Sequence, residues 1–335
     1  MKAFVNASPR DLSQAVSLIK QAREEHRSVA IAGGGSDLLG MMKERLITPD
    51  LVLRLATIRN LDAVKLTGAG TTIGGQTTLA AVAANPIVRR DHAVLAEAAD
   101  SVATPQIRNV ATLAGNLCQR PWCWYYRNGF KCLKNGGTTC YSVTGENTFH
   151  AIFGGGPSYI VHPSDTAPAL VALDATFRIV GPSGDRRVPA SEFFTLPTID
   201  AARENVLADG EILAEVILPH RGQASIRSGY HKVLDREAWT HAVVSAAVVM
   251  DIDHDVCSRA RIVLGGVAPV PWRLPEVEKL LTGQRVTPEL AATAGEAAVS
   301  GARPLAKNAY KVPMVRAMVA RTIVEIANRG SRSAD

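Results

Sequence analysis

Cys118, Cys123, Cys132 and Cys140 fall within 23 residues of a 335-residue chain whose only other cysteine is Cys257. Four thiolates on one irregular loop are what a tetrahedral Zn²⁺ or an iron–sulfur cluster requires. The intervals of four, eight and seven residues depart from the paired CxxC knuckles of zinc ribbons, and Trp122, Trp124, Tyr125, Tyr126 and Phe130 offer the loop an apolar wrapping. An iron–sulfur cluster leads, zinc is second, and disulfides or inert thiols are the remaining alternatives. Oxidation has no support from a secretory leader, because Met1-Lys-Ala-Phe-Val5 runs toward a helix start without an apolar stretch or cleavage site.

A second chemistry is anion binding. Ala32-Gly33-Gly34-Gly35-Ser36-Asp37 reads as the end of a strand, a turn and the start of a helix. Consecutive N–H groups at such a place favour a phosphate, and glycines let the backbone approach it, although a plain tight turn has the same pattern. No Walker lysine follows, and the GxGxxG fingerprint is missing here. The run Gly68 to Gly75 imitates that fingerprint, but its β-branched residues continue a strand, so it reads as a hairpin connection.

Thr112-Leu-Ala-Gly115-Asn116, preceded by Thr104-Pro-Gln-Ile-Arg-Asn109, supplies hydroxyl, amide and bare-backbone donors for a further section of an anionic ligand. Cys118 lies two residues beyond Asn116, so a cluster must sit close to whatever this loop binds. A redox cofactor beside an iron–sulfur cluster is the economical interpretation. Ser164 or Asp165, ahead of Pro168, reads as a helix cap compatible with ligand contact. Lys232 could reach an anion or the electron-rich edge of a flavin, or be an ordinary solvated lysine. The eight histidines lack metal-site spacing and no GxSxG elbow is present, so no catalytic acid, base or nucleophile is assigned.

The elements that must position these residues follow from periodicity. A first helix is expected over about 9–25 behind Ser8-Pro9, a strand at 28–32, a helix from Ser36-Asp37 to about 44, and strands at 51–55 and 71–73. Helices follow at 79–84 and 93–101. From Thr176 the pattern turns to strands and hairpins, with a longer strand at 211–218 and a linker at 219–222. Strands near 225–232, 241–253 and 257–267 and helices near 288–300 and 312–328 complete the chain, ahead of a small polar tail. Cys257 lies in a strand pattern and reads as a core thiol.

Length favours two or three domains, and a composition of 47% hydrophobic and 20% charged residues is that of an ordinary globular protein. The longest apolar run, Ala242 to Met250, is too short to cross a bilayer. The charge of +6 is dispersed, without a basic arm, which argues against nucleic acid and suits a dinucleotide.

In their order, AGGGSDLL, QIRNVATLAGN, HPSDTAPAL, YHKVLDRE, the segment Arg261 to Pro269 with Trp272-Arg273, and Asn308-Ala-Tyr-Lys311 resemble the FAD-binding medium subunits of the molybdenum hydroxylases, the xanthine dehydrogenase and carbon monoxide dehydrogenase family. The resemblance spans Met1 to about Asn328. It implies an α+β, two-subdomain FAD-binding fold of the p-cresol methylhydroxylase and CO dehydrogenase flavoprotein type, followed by a smaller C-terminal α/β domain. The expected boundaries are 1–222 (subdomains about 1–55 and 56–222, with an insertion at 118–150), 223–330, and a tail at 331–335.

Carried over residue by residue, Ala32, Gly33, Gly34, Gly35, Ser36, Asp37 and Leu38 would cradle the pyrophosphate, with Thr104, Thr112, Gly115 and Asn116 on the second FAD loop. Asp165 and Lys232 match positions near the cofactor, Lys232 toward the isoalloxazine. Ala114 stands where that loop often has glycine. The insertion looks like the one in the FAD subunits of bacterial periplasmic aldehyde oxidoreductase and 4-hydroxybenzoyl-CoA reductase, and so implies a [4Fe-4S] cluster on Cys118, Cys123, Cys132 and Cys140.

The implied partners are a large molybdenum-cofactor subunit, a small [2Fe-2S] subunit and an external acceptor, open among NAD⁺, a quinone, ferredoxin and O₂. Such a subunit would stay in the cytoplasm or reach the periplasm by co-export with a signal-bearing partner. The competing readings are a stand-alone FAD oxidoreductase and a zinc-stabilised scaffold without flavin.

Overall fold

The computed structural model describes residues 1–68, 70–220, 226–236 and 241–329. The expected tail, residues 221–222 of the expected linker, residue 225 and Glu237 of YHKVLDRE lie outside the described residues. Three sheets organise the rest. The first is parallel, in the order β1 (Val5–Ala7), β3 (Leu51–Arg54), β2 (Val29–Ala32). The helix Leu12–Glu24 covers it, burying Ala15, Ile19 and Ala22 on one face. The cap of that helix is Asp11, whose carboxylate accepts from Gln14 N at 2.7 Å. Ser8 was the expected cap, but the helix starts three residues later than its proline suggested.

The second sheet is antiparallel and runs β4 (Val64–Thr67), β5 (Gly70–Gly74), β8 (Ile212–Pro219), β6 (Thr176–Gly181), β7 (Gly184–Pro189). Of the glycine run at 68–75, residue 69 lies outside the described residues and Gly70–Gly74 forms β5, paired with β4, as its β-branched residues require. Between β5 and β6 the chain makes short helices, including Leu79–Ala84, Pro86–Asp91, Ala93–Asp100, Leu113–Leu117 and Thr166–Ala172. Thr112 to Asn116, read as a loop, is therefore mostly a short helix capped by the Thr112 hydroxyl, which accepts from Gly115 N.

The third sheet runs β12 (Trp272–Arg273), β11 (Val256–Gly265), β10 (Val244–Asp253), β9 (Ile226–Val233), with β13 (Gln284–Arg285) on β11. Strand β10 explains the longest apolar run. Ala247 and Val249 face a core shared with the helices between β5 and β6, while Ala246, Val248 and Met250 face the C-terminal helices. A strand buried on both faces needs continuous rather than alternating apolar residues. The helix Lys311–Ala327 closes that second face through Val315, Met318, Val319, Ile323 and Ile326, each buried. Burying each such side chain stabilises by roughly 1.5–3 kcal/mol before entropy is counted. Cys257 on β11 is fully buried, as its strand pattern implied. No helix of the described residues is long and apolar enough to cross a membrane.

Candidate functional site

Strand β2 ends at Ala32 and releases the chain into Gly33, Gly34 and Gly35 beside the 110–112 segment. A β-carbon at Gly34 would stand 1.7 Å from the Val110 carbonyl oxygen, and one at Gly33 would stand 2.5 Å from Thr112 Oγ1. Gly35 has φ +75°, in the left-handed region that glycine tolerates. These glycines therefore let the two expected nucleotide loops pack directly on one another. Gly34 serves that packing, so its role is not simply to leave room for a ligand.

Around this junction lies a cavity of about 270 Å³ whose lining includes Ser36, Asp37, Gly115, Asn116, Trp122 and Asp165. Residues from the first loop, the second loop and HPSD thus converge, although they are separated by up to 129 positions in sequence. Thr104 does not line this cavity and instead caps the helix Pro105–Arg108, accepting from Ile107 N at 3.4 Å. Asn116 is buried, and its Oδ1 accepts from the hydroxyls of Ser164 and Thr166, which locks the second loop to HPSDT. The Ser164 hydroxyl also accepts from Ala167 N, so Ser164 supplies the cap bond, while Asp165 occupies the cap position without one.

Asp165 is instead half of a buried ion pair. Its Oδ2 accepts from Lys232 Nζ at 2.7 Å and its Oδ1 from the Tyr230 hydroxyl at 2.7 Å. Lys232 also donates to the Ser101 carbonyl. Burial, and then the Asp165 charge, push the Tyr230 phenol well above its ordinary pKa. Asp165 lines the cavity just described, whereas Lys232 lines a neighbouring groove with Arg108 and Arg321. Lys232 is thus neither a solvated lysine nor an unengaged cation pointing at a ligand.

Sequence reasoning passed over Gln76 and Thr77. Both are buried, and Gln76 Oε1 and Thr77 Oγ1 have no partner among the described residues. A β-carbon on Gly33 would lie 3.4 Å from Gln76 Nε2, which puts this side chain at the glycine loop. Their signal was the polar run Gln76-Thr-Thr78 between a strand and a helix. Orphaned buried polar atoms are expected where a ligand completes the hydrogen bonding. With the loop junction and the cavity, they fit an FAD. Ala114, the departure in the second loop, is accommodated because it faces Gly75, whose own β-carbon would lie only 3.1 Å from that of Ala114.

The cysteine insertion folds as short turns around a small core in which Met41, Tyr126 and Cys132 are buried and Cys123 and Tyr141 partly buried. Cys123 Sγ lies 3.3 Å from His150 Nε2, and the charges of Cys132 and Cys140 contribute to raising the Cys123 pKa, after burial. Cys118 packs against the main core of the FAD region, where burial pushes its thiol up to about 12. Among the described residues no three His, Cys, Asp or Glu side chains are placed to hold a metal ion. The aromatic wrapping is partial: Tyr126 is buried, but Trp124 is 66% exposed.

The insertion is nevertheless firmly held. Lys134 and Arg120 both pair with buried Glu204, at 2.8 and 2.9 Å. At its far end the Lys311 ammonium donates to the carbonyls of Phe149, His150 and Gly266, and Asn308 donates to those of His150 and Ala151. Burial drives the Lys311 pKa down to about 7, while three carbonyl acceptors match the three N–H groups of its charged form.

A fold with a parallel N-terminal sheet, an antiparallel second sheet and a capping C-terminal domain around such loops defines a flavoprotein subunit class. Residues 2–221 match the family model for the FAD binding domain in molybdopterin dehydrogenase, and 229–326 that for the CO dehydrogenase flavoprotein C-terminal domain. The chain belongs to the FAD-binding medium-subunit family of the molybdenum hydroxylases and is an oxidoreductase subunit. It is 33% identical over 298 residues to the aldehyde oxidoreductase FAD-binding subunit PaoB of Escherichia coli K12, covering 87% of this chain and 89% of that one. It is 28% identical over 325 residues to the carbon monoxide dehydrogenase medium chain of Hydrogenophaga pseudoflava, covering 96% of each. A solved carbon monoxide dehydrogenase from that organism superposes with a TM-score of 0.75 at 26% identity, over 97% of this chain and 96% of that one. The expected α+β flavoprotein fold with a smaller C-terminal domain is the one found.

Proposed function

We propose that this chain is the electron-transfer subunit of a three-subunit molybdenum hydroxylase of the aldehyde oxidoreductase or xanthine dehydrogenase type. A large molybdenum-cofactor subunit would oxidise the substrate, a small [2Fe-2S] subunit would relay the electrons, and an external acceptor would take them from this chain. The observation that carries the reading is the single cavity on which Ser36, Asp37, Gly115, Asn116 and Asp165 converge, beside the orphaned Gln76 and Thr77. FAD, when bound, supplies the redox chemistry; the protein's part is to bind it, exclude water and fix its orientation. No residue of the site is asked to act as a general acid or base.

The same proposal gives the insertion a [4Fe-4S] cluster on Cys118, Cys123, Cys132 and Cys140. The donor chemistry supports it: four thiols on one loop next to the second FAD loop, with Cys123 and Cys132 in a shared small core and Cys140 close enough to act on the Cys123 thiol. No electron path is drawn through it, because the described side chains do not gather as a metal site.

The test is purification from the native host with identification of co-purifying chains, extraction of flavin, and iron and sulfide analysis. One FAD per chain and two companion subunits are expected. A chain that purifies alone and reduces its flavin directly with a small substrate would overturn the subunit assignment. One tightly bound zinc without iron would turn the loop into a structural clamp and leave the flavin reading standing.

A further inference from the structure

We infer that Trp122, a residue of the cysteine insertion and of neither nucleotide loop, forms a wall of the flavin pocket and stacks on the isoalloxazine ring system. The inference rests on the FAD reading above and adds a ligand contact to it. Trp122 lines the cavity together with Ser36, Asn116 and Asp165. One face of its indole is covered by the Arg127 guanidinium, 4.3 Å from the ring, and the His241 ring lies 5.4 Å away, tilted by 36°. The side chain is still 48% exposed.

An exposed tryptophan on a surface loop would ordinarily sample several rotamers, but this one is clamped. Arg127 cannot move off it freely, because its guanidinium also donates to Asp37 Oδ1 at 2.7 Å, to the Pro121 carbonyl at 2.9 Å and to the Arg120 carbonyl at 2.8 Å. Asp37 in turn belongs to the glycine loop and lines the same cavity. The insertion therefore presents a held, half-uncovered aromatic surface at the cavity lined by Asp165, whose partner Lys232 is the residue expected toward the isoalloxazine. Arg127 holds one indole face by cation–π contact, and a flavin would stack on the indole surface that Arg127 and His241 leave uncovered.

The experiment uses the flavin-loaded protein and its deflavinated form, titrated with FAD, for the wild type and for Trp122→Ala and Trp122→Phe. An indole in contact with a flavin quenches its fluorescence by electron donation, so bound flavin should be dark in the wild type and several-fold brighter in both variants. The Kd for FAD should rise about fivefold in Trp122→Ala and stay within about twofold in Trp122→Phe, which keeps a stacking face. A Trp122→Ala protein with wild-type FAD affinity and wild-type fluorescence would overturn the stacking, as would weakened affinity with unchanged fluorescence. Failure of the wild type to take up FAD defeats the flavin reading itself, whereas a loaded wild type with an indifferent Trp122 defeats only this inference.

Discussion

The Asp37 carboxylate and the Arg127 guanidinium meet at 2.7 Å with side chains only 15% and 12% exposed, and through them the glycine loop holds the cysteine insertion. The second Asp37 oxygen accepts from Arg120 N at 2.9 Å, so both oxygens serve the same attachment. Expected from its sequence position to cap a helix and meet a pyrophosphate, Asp37 occupies the cap position without a side-chain cap bond and tethers a segment 83 to 90 residues away.

Breaking that tether should cost stability and loosen the insertion. Removing one member of a buried pair leaves the other charge uncompensated, so Arg127→Met is expected to destabilise by about 2–3 kcal/mol. Asp37→Asn with Arg127→Met should cost less than the sum of the single changes. Denaturant unfolding of the four proteins in a double-mutant cycle measures the coupling. Additive single changes would show that the contact carries no energy.

The glycines separate by what surrounds them. At Gly34 a β-carbon collides with backbone, so Gly34→Ala should forfeit several kcal/mol and yield little folded protein. Gly40, inside the helix Leu38–Lys43, has nothing within 4 Å of such a carbon. Gly40→Ala should therefore stabilise by about 0.5–1 kcal/mol through helix propensity. Melting temperatures of the two variants decide the matter, and a well-folded Gly34→Ala would contradict the described packing.

Much of this was legible in the sequence for identifiable reasons. Periodicity places helices at about 9–25 and 312–328, where Leu12–Glu24 and Lys311–Ala327 form because each has one buried face, and the apolar run Ala242 to Met250 reads as a strand because both faces are apolar. The glycine loop and the second loop could be paired by their shared donor chemistry. What local sequence does not encode is long-range pairing. Nothing near Lys232 announces Asp165, 67 residues away, and nothing near Asn116 announces the hydroxyls of Ser164 and Thr166. Gln76 and Thr77 escaped because a polar run after a strand resembles any turn, and only burial without partners marks them.

His162 should make the protein acid-sensitive. Burial holds its imidazole down to about 3, against an ordinary value near 6.5. The unfolded chain binds the proton that the folded chain refuses, so this group's contribution falls as pH drops through the window from about 6.5 to 3. Between pH 7 and pH 5 the loss from this residue alone is about 2 kcal/mol. His162→Asn, although less stable at pH 7, should show a shallower decline across that interval, measured by urea midpoints at both values. Parallel declines in the two proteins would mean that His162 titrates normally.

The Asp165–Lys232 pair should be the most costly polar contact to break in this region. The side chains are 5% and 4% exposed, and Asp165 accepts from both Lys232 and Tyr230. Lys232→Met leaves a carboxylate in a dry site with only the phenol to serve it, for an expected loss of about 3–5 kcal/mol. Tyr230→Phe removes one neutral donor to a charged acceptor and should cost about 1.5–3 kcal/mol, with Lys232 still in place. Because Asp165 lines the cavity proposed for the flavin while Lys232 faces the neighbouring groove, a change at Lys232 should reach the flavin spectrum only through Asp165. If the pair only positions Asp165, the visible flavin band of Lys232→Met should shift in the same direction as that of Asp165→Asn. An Asp165→Asn spectrum that moves while Lys232→Met leaves both band and stability unchanged would show that the lysine does not position the carboxylate.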